Sequence, residues 1–132
     1  MSHPPDDDRV ALGRRVLVVE DEFLAALTTV DFLESIGCEV VGPAARLAPA
    51  LALAQSETLD AAVLDINIAG EMIWPVAERL RDRGIPYLFL SAYPGTKFVP
   101  AMFATVPYLP KPLECGDLAR HLEKMGLFHS GT

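Results

Sequence analysis

Apolar residues in this chain fall into short unbroken runs, separated by stretches in which they recur every three or four positions. Val16 to Val19 is an apolar, largely β-branched run between Arg15 and the acids Glu20, Asp21 and Glu22, and it reads as a strand buried on both faces. From Phe23 the pattern turns helical, with Ala26, Val30 and Leu33 at i, i+4 and i+7 beside Phe23 and Leu27, until Gly37 offers a stop. The unit then repeats. Glu39 to Val41 reads as a strand, Leu47, Leu51 and Ala54 as a helical stripe, and Ala61 to Leu64 as a strand ending at Asp65. Ile73, Val76, Ala77 and Leu80 follow at helical spacing, with Pro75 admissible only in the first turn, and Gly84 precedes the strand Tyr87 to Leu90. A last strand around Val106 to Leu109 leads to a helix with Cys115, Leu118, Leu122 and Met125 on one face.

Strands alternating with helices imply parallel strands joined by right-handed crossovers. The expected fold class is therefore α/β: a flavodoxin-like doubly wound sheet of five parallel strands in the order 2-1-3-4-5, helices on both faces. The weak point is Tyr93 to Thr105. A fourth helix is expected there, but Pro94, Gly95 and Pro100 break it and the apolar residues form no extended stripe, so it should be short or mobile.

With 132 residues, 51% of them hydrophobic, the chain fits one domain, expected over 14–126 with a flexible tail at 1–13 and another at 127–132. No apolar run approaches the roughly 20 residues of a membrane span, and the first nine residues are polar and acidic, so a cytoplasmic protein is expected. A net charge of −7 without a basic cluster disfavours direct nucleic-acid binding and favours a protein partner. Cys38 and Cys115 lack the spacing of a zinc site or a disulfide framework and read as reduced filler.

In a doubly wound sheet, ligands bind outside the carboxyl ends of the strands. That rule selects Glu20 and Asp21 after the first strand, Asp65 after the third, Ser91 after the fourth and Lys111 after the fifth. Three carboxylates gathered at one edge repel one another unless a hard cation neutralises them, and Mg²⁺ is the natural candidate. One or two carboxylates and a loop carbonyl would suffice for it, and Asn67 sits where that carbonyl is needed. Lys111 adds a mobile positive charge for Asp65 or for phosphoryl oxygens, and Ser91 a hydroxyl donor. The set suits phosphoryl transfer.

Taken together, Val16-Leu17-Val18-Val19-Glu20-Asp21-Glu22, Val63-Leu64-Asp65-Ile66-Asn67, Phe89-Leu90-Ser91-Ala92 and Tyr108-Leu109-Pro110-Lys111-Pro112 resemble the response-regulator receiver family of two-component signalling, over roughly residues 14 to 126. The resemblance implies that Asp65 is the phosphoacceptor. It implies further that Glu20, Asp21, Asp65 and the Asn67 carbonyl serve Mg²⁺, Glu20 by way of water, and that Ser91, Lys111 and the Ala92 backbone hold phosphoryl oxygens. Tyr108 falls where the family places an aromatic whose orientation follows phosphorylation, and Lys111-Pro112 where a cis peptide is usual. The implied partners are a sensor histidine kinase or phosphotransfer protein, and a downstream protein reached by contact or phosphoryl passage. Neither nucleic acid nor membrane is expected as a partner, and a monomer or weak dimer is. The chain ends soon after its last helix, so no output domain is expected, and no enzyme activity beyond assistance to its own phosphorylation and dephosphorylation.

Departures from the family pattern are informative. Ile68-Ala69-Gly70 replaces a Met-Pro-Gly type of turn, which leaves that turn's conformation open, and Ser91 replaces the more frequent Thr. Asn67 to Glu71, Pro75 to Ala77 and Phe89 to Tyr93 look similar to a single-domain subfamily with a Phe-Ala-Thr-Gly motif. Two other readings stay open. A haloacid-dehalogenase-type phosphatase also uses an Asp nucleophile and Mg²⁺, but wants a second Asp where Asn67 stands; a pseudo-receiver would keep the fold and work by docking alone.

Overall fold

A computed structural model describes residues 10–92 and 99–128. Its elements are β1 (Arg15–Val19), α1 (Phe23–Ser35), β2 (Glu39–Ala44), α2 (Leu47–Ser56), β3 (Ala61–Asp65), β4 (Asn67–Ile68), β5 (Glu71–Met72), α3 (Trp74–Asp82), β6 (Tyr87–Ser91), a 3-10 turn (Ala101–Phe103), β7 (Tyr108–Pro110) and α4 (Cys115–Lys124). Five of these strands form one sheet in the order β2-β1-β3-β6-β7, all parallel, and β4 and β5 form a separate antiparallel pair. This is the flavodoxin-like order expected from the sequence.

The unbroken apolar runs follow from burial on both faces. Leu17, Val19, Ala62, Leu64 and Phe89 point to the side covered by α2 and α3, where Ala50, Ala54, Val76, Ala77 and Leu80 meet them. Val16, Val18, Ala61, Val63, Leu88 and Leu90 point to the other, toward Leu33, Ile36, Leu118 and Leu122 around α1 and α4. With no face left for water, alternation disappears from the strands. Pro75 lies in the first turn of α3, where no intrahelical N–H is missed.

Several details differ from the sequence expectation. In α1 the buried residues are Ala26, Thr29 and Leu33, while Phe23 and Leu27 are exposed. That helix is apolar on most sides: Ala26 and Leu33 of the expected stripe are buried and Val30 half-buried, while periodicity also draws in Phe23 and Leu27, which face outward. Strand β2 continues through Gly42 and Pro43 to Ala44 with a register shift against β1, and β7 starts at Tyr108, two residues later than expected. Ala11 is buried and donates its N–H to the Ile36 carbonyl, and Leu127 is buried with its carbonyl accepting from Arg14 Nε, so packing reaches past both 14 and 126. Within the poorly encoded segment, residues 93–98 lie outside the described residues, and 99–105 carries a single turn of 3-10 helix.

Candidate functional site

Strand register delivers the polar residues to one edge. Val19 pairs with Leu64, Asp65 with Leu90 and Ser91 with Pro110, so Glu20, Asp65, Ser91 and Lys111 stand at successive strand ends. Backbone bonds carry the strands to that point: the Glu20 N–H reaches the Ala44 carbonyl at 2.9 Å, and the Lys111 N–H reaches that of Ser91 at 2.9 Å. The Lys111–Pro112 peptide is cis, as the resemblance implies.

Oxygens of Glu20, Asp21 and Asp65 lie within 4.8 Å of one another. Lys111 Nζ sits between two of these acids, 2.9 Å from Asp65 Oδ2 and 2.8 Å from Glu20 Oε1. Glu20, Asp65 and Ser91 are buried, whereas Asp21 is exposed. Burial pushes the Asp65 carboxyl up to about 7; the Lys111 hydrogen bond opposes this and the Glu20 charge adds to it. Burial alone would lower the Lys111 ammonium, but the close carboxylates of Glu20 and Asp65 outweigh it and the shift is upward. One ammonium cannot balance three carboxylates. Glu20 Oε1 is moreover buried with the ammonium beside it but no aligned hydrogen bond. Clustered hard oxygen donors with uncompensated negative charge fit a divalent cation such as Mg²⁺.

After Asp65 the chain makes a feature the sequence did not disclose. Ala69 (φ 51°) and Gly70 (φ 87°) both occupy the left-handed region and close a two-residue hairpin between β4 and β5. The Ala69 N–H donates to Asp21 Oδ2 at 2.8 Å, and the Gly70 N–H to Asn67 Oδ1 at 3.0 Å. Asn67 thus belongs to the loop beside the acids, its pairing with Met72 fixing that stretch of backbone. Tyr108 stands apart from the acids at the start of β7, half-buried against the core on the α2 and α3 side.

Sequence reasoning also missed the surroundings of the acids. A cleft of about 540 Å³ opens beside Glu20 and Lys111, walled by Leu24, Thr28, Leu90 and Ala92. Phe23, Leu24 and Leu27 leave much of their apolar surface exposed on this end of α1. The available signal was an excess of apolar residues in the first turns of α1 over what one buried stripe needs.

Fold and site define a doubly wound α/β domain with an acidic centre at its strand ends. A scan against protein-family models returns no match. SdrG from Sphingomonas melonis Fr1 is 38% identical, with 87% of this chain and 97% of that one covered and a TM-score of 0.75; the BeF3-activated conformation of SdrG aligns with 34% identity, 92% and 99% coverage and a TM-score of 0.70. The signal receiver domain of a modulated diguanylate cyclase from Desulfovibrio desulfuricans G20 is 31% identical over 86% of this chain and 93% of that one, TM-score 0.75. The transcriptional regulatory protein PdtaR of Mycobacterium tuberculosis is 29% identical over 126 residues, 93% of this chain but 62% of that protein's length. The chain belongs to the response-regulator receiver family of two-component systems. Among the described residues no helix is long and apolar enough to cross a membrane.

Proposed function

We propose that this domain is the phosphoacceptor of a two-component phosphorelay, taking a phosphoryl group from a sensor histidine kinase or phosphotransfer protein onto Asp65. The observation that carries the reading is the Lys111 ammonium held between Asp65 and Glu20 at 2.9 and 2.8 Å, with Asp21 alongside. An Asp65 oxygen attacks phosphorus in line; the P–N bond to the donor histidine breaks as the O–P bond forms, and the imidazole keeps the electron pair. Lys111, the Ser91 hydroxyl and the Ala92 N–H take the phosphoryl oxygens, so the domain contributes positioning and charge. Glu20, Asp21, Asp65 and the Asn67 carbonyl would hold Mg²⁺, which when bound neutralises charge on the phosphoryl oxygens. Water later hydrolyses the acyl phosphate and resets the domain.

The BeF3-activated state described for SdrG supports this reading, because trifluoroberyllate mimics a phosphoryl group on a carboxylate. The Phe89 to Tyr93 run supports placement in the single-domain subfamily with the Phe-Ala-Thr-Gly motif. Output then passes through protein contact or phosphoryl passage in the cytoplasm, from a monomer or weak dimer. The reporter of the phosphorylated state is the segment between Ser91 and Tyr108, with the Tyr108 ring following it.

Incubation with acetyl phosphate and Mg²⁺, read by intact mass, tests the proposal. One substoichiometric phosphoryl adduct is expected. Rapid multiple turnover would indicate the phosphatase instead, and no adduct the docking-only pseudo-receiver.

A further inference from the structure

A second recess, of about 620 Å³, lies at the end of the sheet opposite the acids. Tyr87 opens β6 there, Val106 and Pro107 lead into β7, and His121, Lys124 and Met125 come from the end of α4. Its walls are held from outside. The Tyr87 ring stands edge-on to Phe89 and Phe103, with centroids 5.7 and 6.3 Å away. The Val106 N–H closes onto the Phe103 carbonyl at 3.0 Å, and the Pro107 carbonyl accepts the Phe89 N–H at 3.0 Å. A recess fixed in this way is formed before any ligand arrives, and its volume is that of a small-molecule site.

Local charge here runs against that of the whole chain. Net charge is −7, yet no carboxylate is among the described residues that line the recess, and among the described residues Lys124 makes no ion pair. Positive charge reaches both walls. Burial lowers the His121 imidazole, and the charges of Lys124 and Arg120 add to it; burial raises the Tyr87 hydroxyl, and the Arg81 charge opposes it. Arg120 is paired with Asp117, whereas Arg81 has no acid partner among the described residues. The carbonyls of His121, Leu122 and Glu123 are taken up by the N–H groups of Met125, Leu127 and Gly126, which limits the negative end of the α4 dipole at this wall.

We propose that this recess binds a small carboxylate with an apolar body, the carboxylate held by Lys124 beside His121 and the body lying against Tyr87, Val106 and Met125. The anionic group gains a charge-assisted bond to the ammonium. The body covers apolar wall, of which Met125 is the adaptable part. The acidic centre at the far end repels such a ligand, so the site is separate from the phosphoacceptor chemistry and does not depend on it.

The test is NMR titration of the full chain with 2-naphthoate and, separately, with octanoate. Saturable shifts of the Tyr87 ring, His121 ring and Met125 methyl signals with either probe are the expected result. Lys124→Met, at an exposed position, should weaken the affinity by about tenfold, and Lys124→Arg should keep it within about twofold. For 2-naphthoate, the uncharged naphthalene-2-carboxamide should bind about tenfold more weakly and be indifferent to Lys124→Met. No saturable shift at these residues with either probe at millimolar concentration overturns the proposal. Equal binding of carboxylate and carboxamide overturns it as well, and so do shifts centred instead on Phe23, Leu24 and Leu27, the exposed apolar residues at the other end of the molecule.

Discussion

The indole of Trp74 stacks on the ring of Phe103, with centroids 5.7 Å apart and planes 22° from parallel. Trp74 opens α3, directly after the hairpin that follows Asp65, while Phe103 lies in the 3-10 turn beyond Ser91. Phe89 meets both rings edge-on. The stack joins the loop after Asp65 to the segment proposed to report its state.

Since Trp74 is the only tryptophan, its emission should shift when acetyl phosphate and Mg²⁺ are added. Phe103→Leu should reduce the shift while leaving the extent of phosphorylation unchanged. Full phosphorylation with constant emission would remove the 99–105 segment from the output surface. Phe103→Ala, which empties a fully buried site, should cost about 3 kcal/mol in urea unfolding.

Ala69→Gly should stabilise the domain by about 1 kcal/mol, since glycine adopts φ 51° without the Cβ penalty that alanine carries. Urea unfolding measures it. A loss of stability would mean that the turn is not left-handed in solution.

Burial raises Asp65 to about 7 from an ordinary carboxyl near 3.8. Between these values the folded domain holds a proton that the unfolded chain has lost, so the stability contributed by this group is complete below about pH 4 and fades as pH rises through about 7. Cation binding needs the ionised carboxylate. Mg²⁺ affinity should therefore climb between pH 6 and 8 with release of a proton, seen by calorimetry in two buffers of different ionisation enthalpy. Asp65→Asn should flatten the slope of whatever binding remains; an equal slope would assign the proton to another group.

The sheet order and the residues at its edge were legible because a parallel strand buried on both faces leaves an uninterrupted apolar run, and the polar residue that ends it marks the ligand edge. Glu20, Asp65 and Ser91 each end such a run, and Lys111 follows the short edge strand β7, of which only Leu109 is buried. The β4–β5 hairpin was not legible. Its turn carries Ala at a position that favours Gly or Asn, and its tether comes from Asp21, 48 residues away in sequence. In α1, Phe23 and Leu27 match a helical stripe as well as Thr29 and Leu33 do, and only the packing separates the core face from the exposed one.

Asp21→Ala should weaken Mg²⁺ binding and slow phosphorylation, because it removes one of the few carboxylates that offset dehydration of the ion. It should also release the Ala69 N–H, so the Ala69 amide should exchange with solvent faster in NMR. Unchanged Mg²⁺ affinity would move the cation site elsewhere, and an unchanged exchange rate would show that the tether does not protect that amide.

The most direct test of Asp65 as phosphoacceptor is to reduce the phosphorylated protein with borohydride, which converts an aspartyl phosphate to homoserine, and to map the altered residue by peptide mass. Homoserine is expected at position 65 alone, and none when Asp65→Asn is treated in the same way. Conversion at Glu20, Asp21 or any other carboxylate, or labelling that persists in the Asn variant, would contradict it.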